Sequence, residues 1–134
     1  MKVYADYRWG LFKDAQPTFL ESELKMVVDI ARSSGRDVVA HASTAEGIRR
    51  AVMAGVKTIE HGDNATPEVF ALMKQHDVCF CPTLAAGDAI SQYRGWKKGV
   101  DDEPDRIKKK RVSFKQALEA GVKICFGGDV GVFA

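Results

Sequence analysis

The amino-acid sequence predicts a parallel α/β fold, and three observations support that prediction. Short apolar, strand-like runs alternate with segments of helical periodicity, and no linker interrupts them. One unit repeats, because residues 51–63 align without gaps on residues 117–129, each copy being a helix end, a glycine and a strand. Three apolar runs end in a polar residue directly before a turn, at His41, His61 and Asp129. A closed (β/α) barrel and an open doubly wound sheet would both produce this pattern.

The first predicted elements are a strand, a helix and a second strand. The strand begins at Lys2 and continues to residue 5. Thr18 and Glu21 have the spacing of a capping box, which predicts a helix that continues to Gly35. Residues 37–41 then form the second predicted strand.

The second and third predicted helices have similar start signals. Ser43 and Glu46 repeat the capping-box spacing, and Gly55 stands where a left-handed residue would end the helix. A strand follows. Thr66 is the predicted N-cap of the next helix, with Pro67 at its first position.

The last third of the chain contains two predicted strands, a long loop and a fourth helix. The strands are residues 78–84 and the run that ends at Asp129. Residues 85–105 are predicted to form a loop, and its length, far above the usual two to six residues, is typical of lids and substrate walls. The helix covers about residues 104–120 and ends at Gly121. The sequence therefore predicts about five strands and four helices.

Composition limits the function classes. With 134 residues, 46% of them hydrophobic, the chain can bury one core and is too short for two domains. Its net charge of +2 does not favour nucleic acid, and the basic run 108–111 has a helical register without interleaved aromatic residues. No stretch approaches the ~18 to 20 apolar residues of a membrane span, and no signal-peptide core follows Met1. We therefore expect a soluble, cytoplasmic protein without a membrane partner.

The three cysteines, Cys79, Cys81 and Cys125, all lie in apolar, strand-like runs. An odd number without framework spacing argues against a disulfide scaffold. Cys79 and Cys81 point to the same side of one strand, so a pair of soft-metal ligands is an alternative to the interpretation that we favour, small buried hydrophobic residues.

The polar strand ends predict a metal site. The carboxyl ends of parallel strands meet at one face of a sheet, where two imidazoles and a carboxylate would converge. In the repeat alignment His61 stands two residues before the position of Asp129, so both are expected on the same side of the pleat. His76 follows a helix and is not expected to be a ligand. We interpret Asp63 as a first-turn helix acid and Asp6 as a loop residue.

These residues carry a resemblance to a known family. The chain resembles the second half of the metal hydrolases of the amidohydrolase superfamily, nearest to the imidazolonepropionase-like and Xaa-Pro-dipeptidase-like branch. The matching segments are residues 41–42, 46–51, 54–62, 81–84 and 126–129. The resemblance implies that residues 1–134 are one partial (β/α)8 TIM-type barrel domain that corresponds to the fourth to eighth strands. It also implies two divalent metals, usually zinc, at the carboxyl ends of the strands.

The resemblance also implies a role for each matched residue. Lys2 matches the lysine that is carboxylated and bridges the two metals. His41 and His61 match the histidines of the fifth and sixth strands, which bind the second metal. Asp129 matches the aspartate of the eighth strand, which touches the first metal and acts as the general base.

The chain departs from the family pattern in several places. The first-strand His-x-His pair has no counterpart, because the histidines are His41, His61 and His76. The β-sandwich and the final helix are missing, and a barrel of this type needs ~250 residues. An isolated segment would expose raw sheet edges. We therefore expect a fragment of a longer chain or a homo-oligomer.

Three functions stay open from the sequence. The first is a metal-dependent hydrolase of a cyclic amide or a dipeptide, for which Tyr4, Tyr7, Tyr93 and Trp96 are candidate walls of the substrate pocket, with ordinary packing as the alternative. The second is a catalytically inactive half-barrel that acts as an oligomeric or metal-binding module. The third is an open, flavodoxin-like sheet that binds a small anion, which the lack of a Gly-rich phosphate loop disfavours.

Overall fold

The computed structural model describes residues 1–8, 11 and 14–131, and within them it contains six strands and five helices. The strands are β1 (Lys2–Tyr4), β2 (Asp6–Arg8), β3 (Ala15–Pro17), β4 (Val39–Thr44), β5 (Thr58–Asn64) and β6 (Cys79–Cys81). The helices are α1 (Glu21–Ser33), α2 (Ala45–Ala54), α3 (Pro67–Gln75), α4 (Leu84–Tyr93) and α5 (Asp105–Ala120).

Four strands form a parallel sheet in the order β1-β4-β5-β6. Strands β2 and β3 form a separate antiparallel pair at the end of β1. The parallel order and the alternation of strands with helices confirm the predicted fold class.

The hydrophobic core lies between one face of this sheet and the helices. The sheet contributes Ala40, Ile59 and Phe80, all fully buried, and the rings of Phe70 and Phe80 pack edge to face with centres 5.2 Å apart. Burial of these side chains is the main favourable contribution to folding. The opposite face of the sheet stays free for polar residues.

The register of the sheet aligns four residues in a row on that opposite face. Tyr4 pairs with His41, His41 pairs with Glu60, and Glu60 pairs with Cys81. Lys2, two residues before Tyr4, lies in the next row on the same face. The strands alone therefore place a lysine, a histidine and a glutamate next to one another.

Both predicted capping boxes are shifted along the chain. The capping pair of α1 is Leu20 and Glu23, whose carboxylate accepts from the Leu20 N–H at 2.8 Å, while the Thr18 hydroxyl donates to the Tyr4 carbonyl. Thr44 caps α2 by accepting from the Gly47 N–H at 3.0 Å. The predicted capping residues make other hydrogen bonds, Thr18 through its hydroxyl and Ser43 through its backbone N–H to Asp6. Each helix therefore begins later than expected.

Two further predictions need correction. The predicted loop 85–105 contains most of α4, so the chain has one more helix than expected. The predicted last strand makes only one isolated parallel bridge, between Phe80 and Ile124, and Asp129 follows in irregular backbone. The β2–β3 hairpin was not predicted.

Within the described ranges, every helix is too short or too polar to cross a lipid bilayer.

Candidate active site

A cavity of about 890 Å³ opens at the carboxyl end of the parallel sheet. All four predicted ligands line it, together with Tyr4, Tyr7, Ser43, Asp63 and Arg106. The predicted ligands in that wall are Lys2, His41, His61 and Asp129. The topology thus brings together residues that are up to 127 positions apart in the sequence, because the carboxyl ends of parallel strands meet at one edge of the sheet.

His41 reaches the cavity from a regular strand position. Its neighbours Ala40 and Ala42 are fully buried on the helix side, so the alternation of β4 directs the imidazole to the other face. The ring stacks on Tyr4, with ring centres 4.6 Å apart and planes 28° apart, and Tyr7 lies 5.8 Å away. Two aromatic side chains therefore hold the imidazole from one side.

His61 reaches the same cavity by a different route. Its register partner is Ala42, which faces the helices, so strict alternation would bury the His61 side chain in the core. The backbone of His61 is left-handed instead, with φ of 78°, and the ring lies 4.5 Å from that of His41. We predicted that His61 and Asp129 share one side of the pleat, but strand alternation does not place either side chain. Both residues line the cavity from left-handed backbone, and Asp129 lies outside the strands.

Both imidazoles are held in the neutral form. Burial, followed by the charges of His41 and Lys110, lowers the pKa of His61 to about 4. Burial also lowers the pKa of His41, against the opposing charge of Asp6. The Nδ1 atom of His61 lies 2.8 Å from the hydroxyl oxygen of Thr83, which leaves Nε2 for another ligand.

Lys2 forms an ion pair with Glu60 on the floor of the cavity. Burial opposes the charge on Lys2, but the hydrogen bond and negative charge of Glu60 prevail and raise its pKa above the ordinary value. Lys2 is thus a paired ammonium in this structure, and an ammonium has no lone pair for a metal.

The donor set fits a divalent ion in part. Two neutral imidazoles on adjacent strands are ligands that zinc prefers, and a carboxylate, Asp129, lines the same cavity. Within the described ranges, no three His, Cys, Asp or Glu side chains are already grouped to hold a metal. Besides His41 and His61, the cavity wall contains the carboxylates of Asp63 and Asp129 and the amine of Lys2.

Sequence reasoning missed a buried charge cluster behind His61. Asp63 is not a first-turn helix acid: it lies in β5 and forms an ion pair with Lys110, while Arg106 lies 4.0 Å away. The available signal was the position of Lys110 on the same helical stripe as Ser113 and Ala117, the buried face of α5.

Asp6 is also more than a loop residue. It is fully buried at the start of β2, and its carboxylate accepts from the Ser43 N–H at 2.9 Å, the Thr44 N–H at 2.7 Å and the Thr44 hydroxyl at 2.7 Å. It therefore holds the backbone two and three residues after His41, just before α2 begins.

The predicted aromatic walls divide into two groups. Tyr4 and Tyr7 line the cavity. Tyr93, at the end of α4, and Trp96 are not among its lining residues, and the buried indole nitrogen of Trp96 has no hydrogen-bond partner within the described residues. Substrate contact by Tyr93 and Trp96 stays a prediction.

Cys79 and Cys81 lie on the cavity face of the sheet, Cys81 in the row of His41 and Cys79 in the row of Lys2. Cys81 is buried, and Cys79 and Cys125 are partly buried, all as free thiols. Burial, then the hydrogen bond and charge of Cys79, raise the pKa of Cys125 to about 12, so its thiol is protonated. This agrees with the favoured interpretation of small packed residues.

Known proteins are similar to this chain in sequence and in fold. An uncharacterized protein of Mycobacterium tuberculosis is 28% identical over 98% of this chain and 36% of its own length. Ochratoxinase of Aspergillus niger is 30% identical over 87% of this chain and 26% of its own length, and its crystal structure superposes with a TM-score of 0.78 over 96% of this chain and 31% of that one, at 29% identity.

A solved Xaa-Pro dipeptidase, with methionine in its active site, gives a TM-score of 0.77 at 32% identity, over 99% of this chain and 34% of that one. These superpositions confirm the predicted partial (β/α) barrel. The chain spans about a third of the length of the relatives that it matches. The model of the amidohydrolase family matches residues 9–133, nearly the whole chain. The chain belongs to the amidohydrolase family.

Proposed function

We propose that this protein acts as a metal-dependent hydrolase of amide-type bonds, with cyclic amides or dipeptides as its substrate class. The observation that carries the proposal is the pair of neutral imidazoles, 4.5 Å apart, in the wall of a cavity that Lys2 and Asp129 also line. Ochratoxinase and the Xaa-Pro dipeptidase, similar over this same segment, make the same class of reaction the natural expectation.

The proposed roles follow from the chemistry of each group. His41 and His61 would hold one divalent ion, most simply zinc, through neutral ring nitrogens, and a carboxylated Lys2 would supply a further oxygen and reach a second ion. The bound ion would supply Lewis-acid polarisation of the substrate carbonyl and lower the pKa of water. Asp129 would accept a proton from water and pass it to the leaving amine.

The wall of the cavity supports a small polar substrate with an apolar part. The Tyr4 and Tyr7 rings offer an apolar surface beside His41, and Arg106 offers a positive charge on the other side of the histidines. Tyr4, Tyr93 and Trp96 are the proposed substrate contacts.

The chain would work as part of a larger barrel. Phe126 and Val130, at the end of the described chain, are almost fully exposed apolar side chains. We propose that the rest of a longer chain, or a second copy, covers this surface. Light scattering that shows a well-folded, stable monomer would contradict the need for such a cover.

Metal content and turnover together test the proposed function. We expect about one zinc per chain by plasma mass spectrometry after supply of zinc and bicarbonate, lost in both His41→Ala and His61→Ala. His76→Ala is the matched control, because His76 ends α3 away from the cavity, and it should keep its zinc. Wild-type protein without metal would contradict the proposal, as would equal loss in the control.

One observation favours a second candidate, a catalytically inactive half-barrel that binds metal or assembles with other copies. The Lys2–Glu60 ion pair keeps Lys2 cationic, and only a neutral amine reacts with carbon dioxide. Hydrolysis of Xaa-Pro dipeptides and N-acyl amino acids by zinc-loaded protein would support the hydrolase. Stoichiometric zinc without turnover would support the inactive module.

A further inference from the structure

Helix α5 contains a lysine that is buried although it carries a charge. The side chain of Lys110 is only 7% exposed, whereas the neighbouring Lys108 and Lys109 are exposed. Its ammonium donates to the carbonyl of His61 at 2.6 Å and to the carbonyl of Pro82 at 2.8 Å, and it forms an ion pair with Asp63. The buried ammonium therefore has two hydrogen-bond acceptors and one counter-charge, as a buried charge requires.

These partners lie where the backbone is least regular. His61 has φ of 78° and Thr83, next to Pro82, has φ of 49°, both in the left-handed region that is unfavourable for residues other than glycine. Such a conformation persists only where surrounding contacts impose it. Ser113, one turn along α5 from Lys110, also donates to the carbonyl of Gly62 at 2.7 Å.

The left-handed turn decides where the His61 ring points. A regular strand would direct the ring into the core beside its register partner Ala42, as shown above. The same ammonium that binds the His61 carbonyl also binds the residue before Thr83, whose hydroxyl contacts Nδ1 of the ring. One side chain thus ties the backbone of the histidine to the group that orients its imidazole.

Lys110 itself does not reach the substrate. It is not among the residues that line the cavity, because Asp63 and the His61 backbone lie between its ammonium and the open space. Any effect of Lys110 on the site therefore passes through its contacts with His61 and Pro82 or through Asp63, which lines the cavity.

We propose that Lys110 is a positioning residue: its ammonium locks the left-handed end of β5 and the start of α4 so that Nε2 of His61 faces the cavity. The inference rests on the proposed function only in treating this imidazole as a metal ligand, because the ring has its orientation without metal or substrate. Ser113 is a weaker second contact from the same helix.

The test replaces Lys110 and measures the orientation of the His61 ring. Lys110→Met keeps the buried aliphatic length and removes the ammonium. In metal-free protein, ¹⁵N-resolved NMR of the histidine rings is expected to show one tautomer of His61 in the wild type and an exchanging mixture in the variant. Zinc affinity, from competition with a chelating dye, is expected to fall roughly 10- to 100-fold, the usual cost of losing support behind a ligand.

Two further variants keep the test decisive. Lys109→Met, an exposed lysine of the same helix, is the matched control and should change neither readout. If Lys110→Met does not fold, Ser113→Ala is the milder probe, with the same direction of change and a smaller loss of affinity. Unchanged tautomer and affinity in a folded variant would overturn the inference. If the wild type binds no zinc, the proposed function fails, but the NMR result still decides whether Lys110 positions His61.

Discussion

The two histidine-bearing strand ends of this protein are held by buried groups of opposite charge. At the end of β4, the fully buried Asp6 carboxylate accepts hydrogen bonds from the backbone N–H groups of Ser43 and Thr44, two and three residues after His41. At the end of β5, the buried Lys110 ammonium donates to the backbone carbonyl of His61 itself. The Asp6 carboxylate accepts from backbone N–H groups beside one histidine, and the Lys110 ammonium donates to backbone carbonyls beside the other.

The difference follows from backbone geometry. β4 ends at Thr44, the N-cap of α2, and the N–H groups of its last two residues, Ser43 and Thr44, bind the Asp6 carboxylate near the positive end of the helix dipole. β5 contains left-handed residues at His61 and Gly62, before it ends at Asn64, and the carbonyls of both residues accept hydrogen bonds from α5. The same residue type at equivalent strand ends is therefore placed by regular alternation in one case and by a side-chain clamp in the other.

The largest expected effect comes from removing the Asp6 carboxylate, which we call the anionic clamp. Asp6→Ala leaves two buried N–H groups and a hydroxyl without their acceptor, which we expect to cost about 4 kcal/mol in the free energy of unfolding. Urea denaturation measures this cost. Asp102→Ala, at an exposed position, should stay within about 0.5 kcal/mol, and an equal effect of both variants would contradict a clamp.

The next effect concerns protonation of His61 in metal-free protein. Its pKa is about 4 in the folded state against 6.5 for an ordinary histidine, so the unfolded chain binds more protons between these values. Stability should therefore be complete above pH 6.5 and fall by about 3 kcal/mol as the pH drops to 4. Thermal or urea unfolding in chelator at stepped pH measures the slope. His61→Asn should flatten it, while a slope that survives in this variant would assign the effect to other groups.

Gly62→Ala tests the turn at the β5 end more locally. The new Cβ would collide with the Phe80 ring, and φ of 57° is unfavourable for alanine, so we expect a loss of about 2 kcal/mol. Gly35→Ala is the matched control, since φ is 68° there but no atom lies within 4 Å, and it should cost only about 1 kcal/mol. Equal losses in the two variants, by urea denaturation, would mean that the contact with Phe80 does not matter.

The smallest effect isolates the hydroxyl that contacts His61. Thr83→Val should cost about 1 kcal/mol, because it removes one hydrogen bond while nearly keeping the volume of the side chain. Thr58→Val is a sharp control: the Thr58 hydroxyl is buried without a partner, so its loss should be neutral or stabilising. The reverse ranking in urea denaturation would exclude a supporting role for Thr83.

Much of this arrangement could be predicted from the sequence, because it depends on local patterns. The proline start of α3, the glycine stops of α2 and α5, and strands that contain His41 and His61 follow from periodicity and backbone preference. The predicted strand ends at His41 and His61 were wrong, because β4 continues to Thr44 and β5 to Asn64. The contacts of Asp6 with Ser43 and of Lys110 with His61 could not be predicted, because no local rule links residues that are 37 and 49 positions apart. The first of these contacts also explains the shifted cap of α2.

The predicted loop 85–105 was wrong in its first part, which α4 occupies up to Tyr93. Gly87 lies inside α4, and its φ is not positive, so the helix accepts this glycine at the modest cost relative to alanine. The length of the segment was therefore a poor indicator of irregular backbone.

Anomalous X-ray scattering at the zinc edge, on crystals grown with zinc and bicarbonate, tests the central claim most directly. The account predicts one peak between the two imidazoles, about 2.1 Å from a nitrogen of His41 and from Nε2 of His61. Extra density on the amine of Lys2 would add the predicted carboxylation. A zinc peak at the cysteines, or no peak between the histidines, would contradict the account.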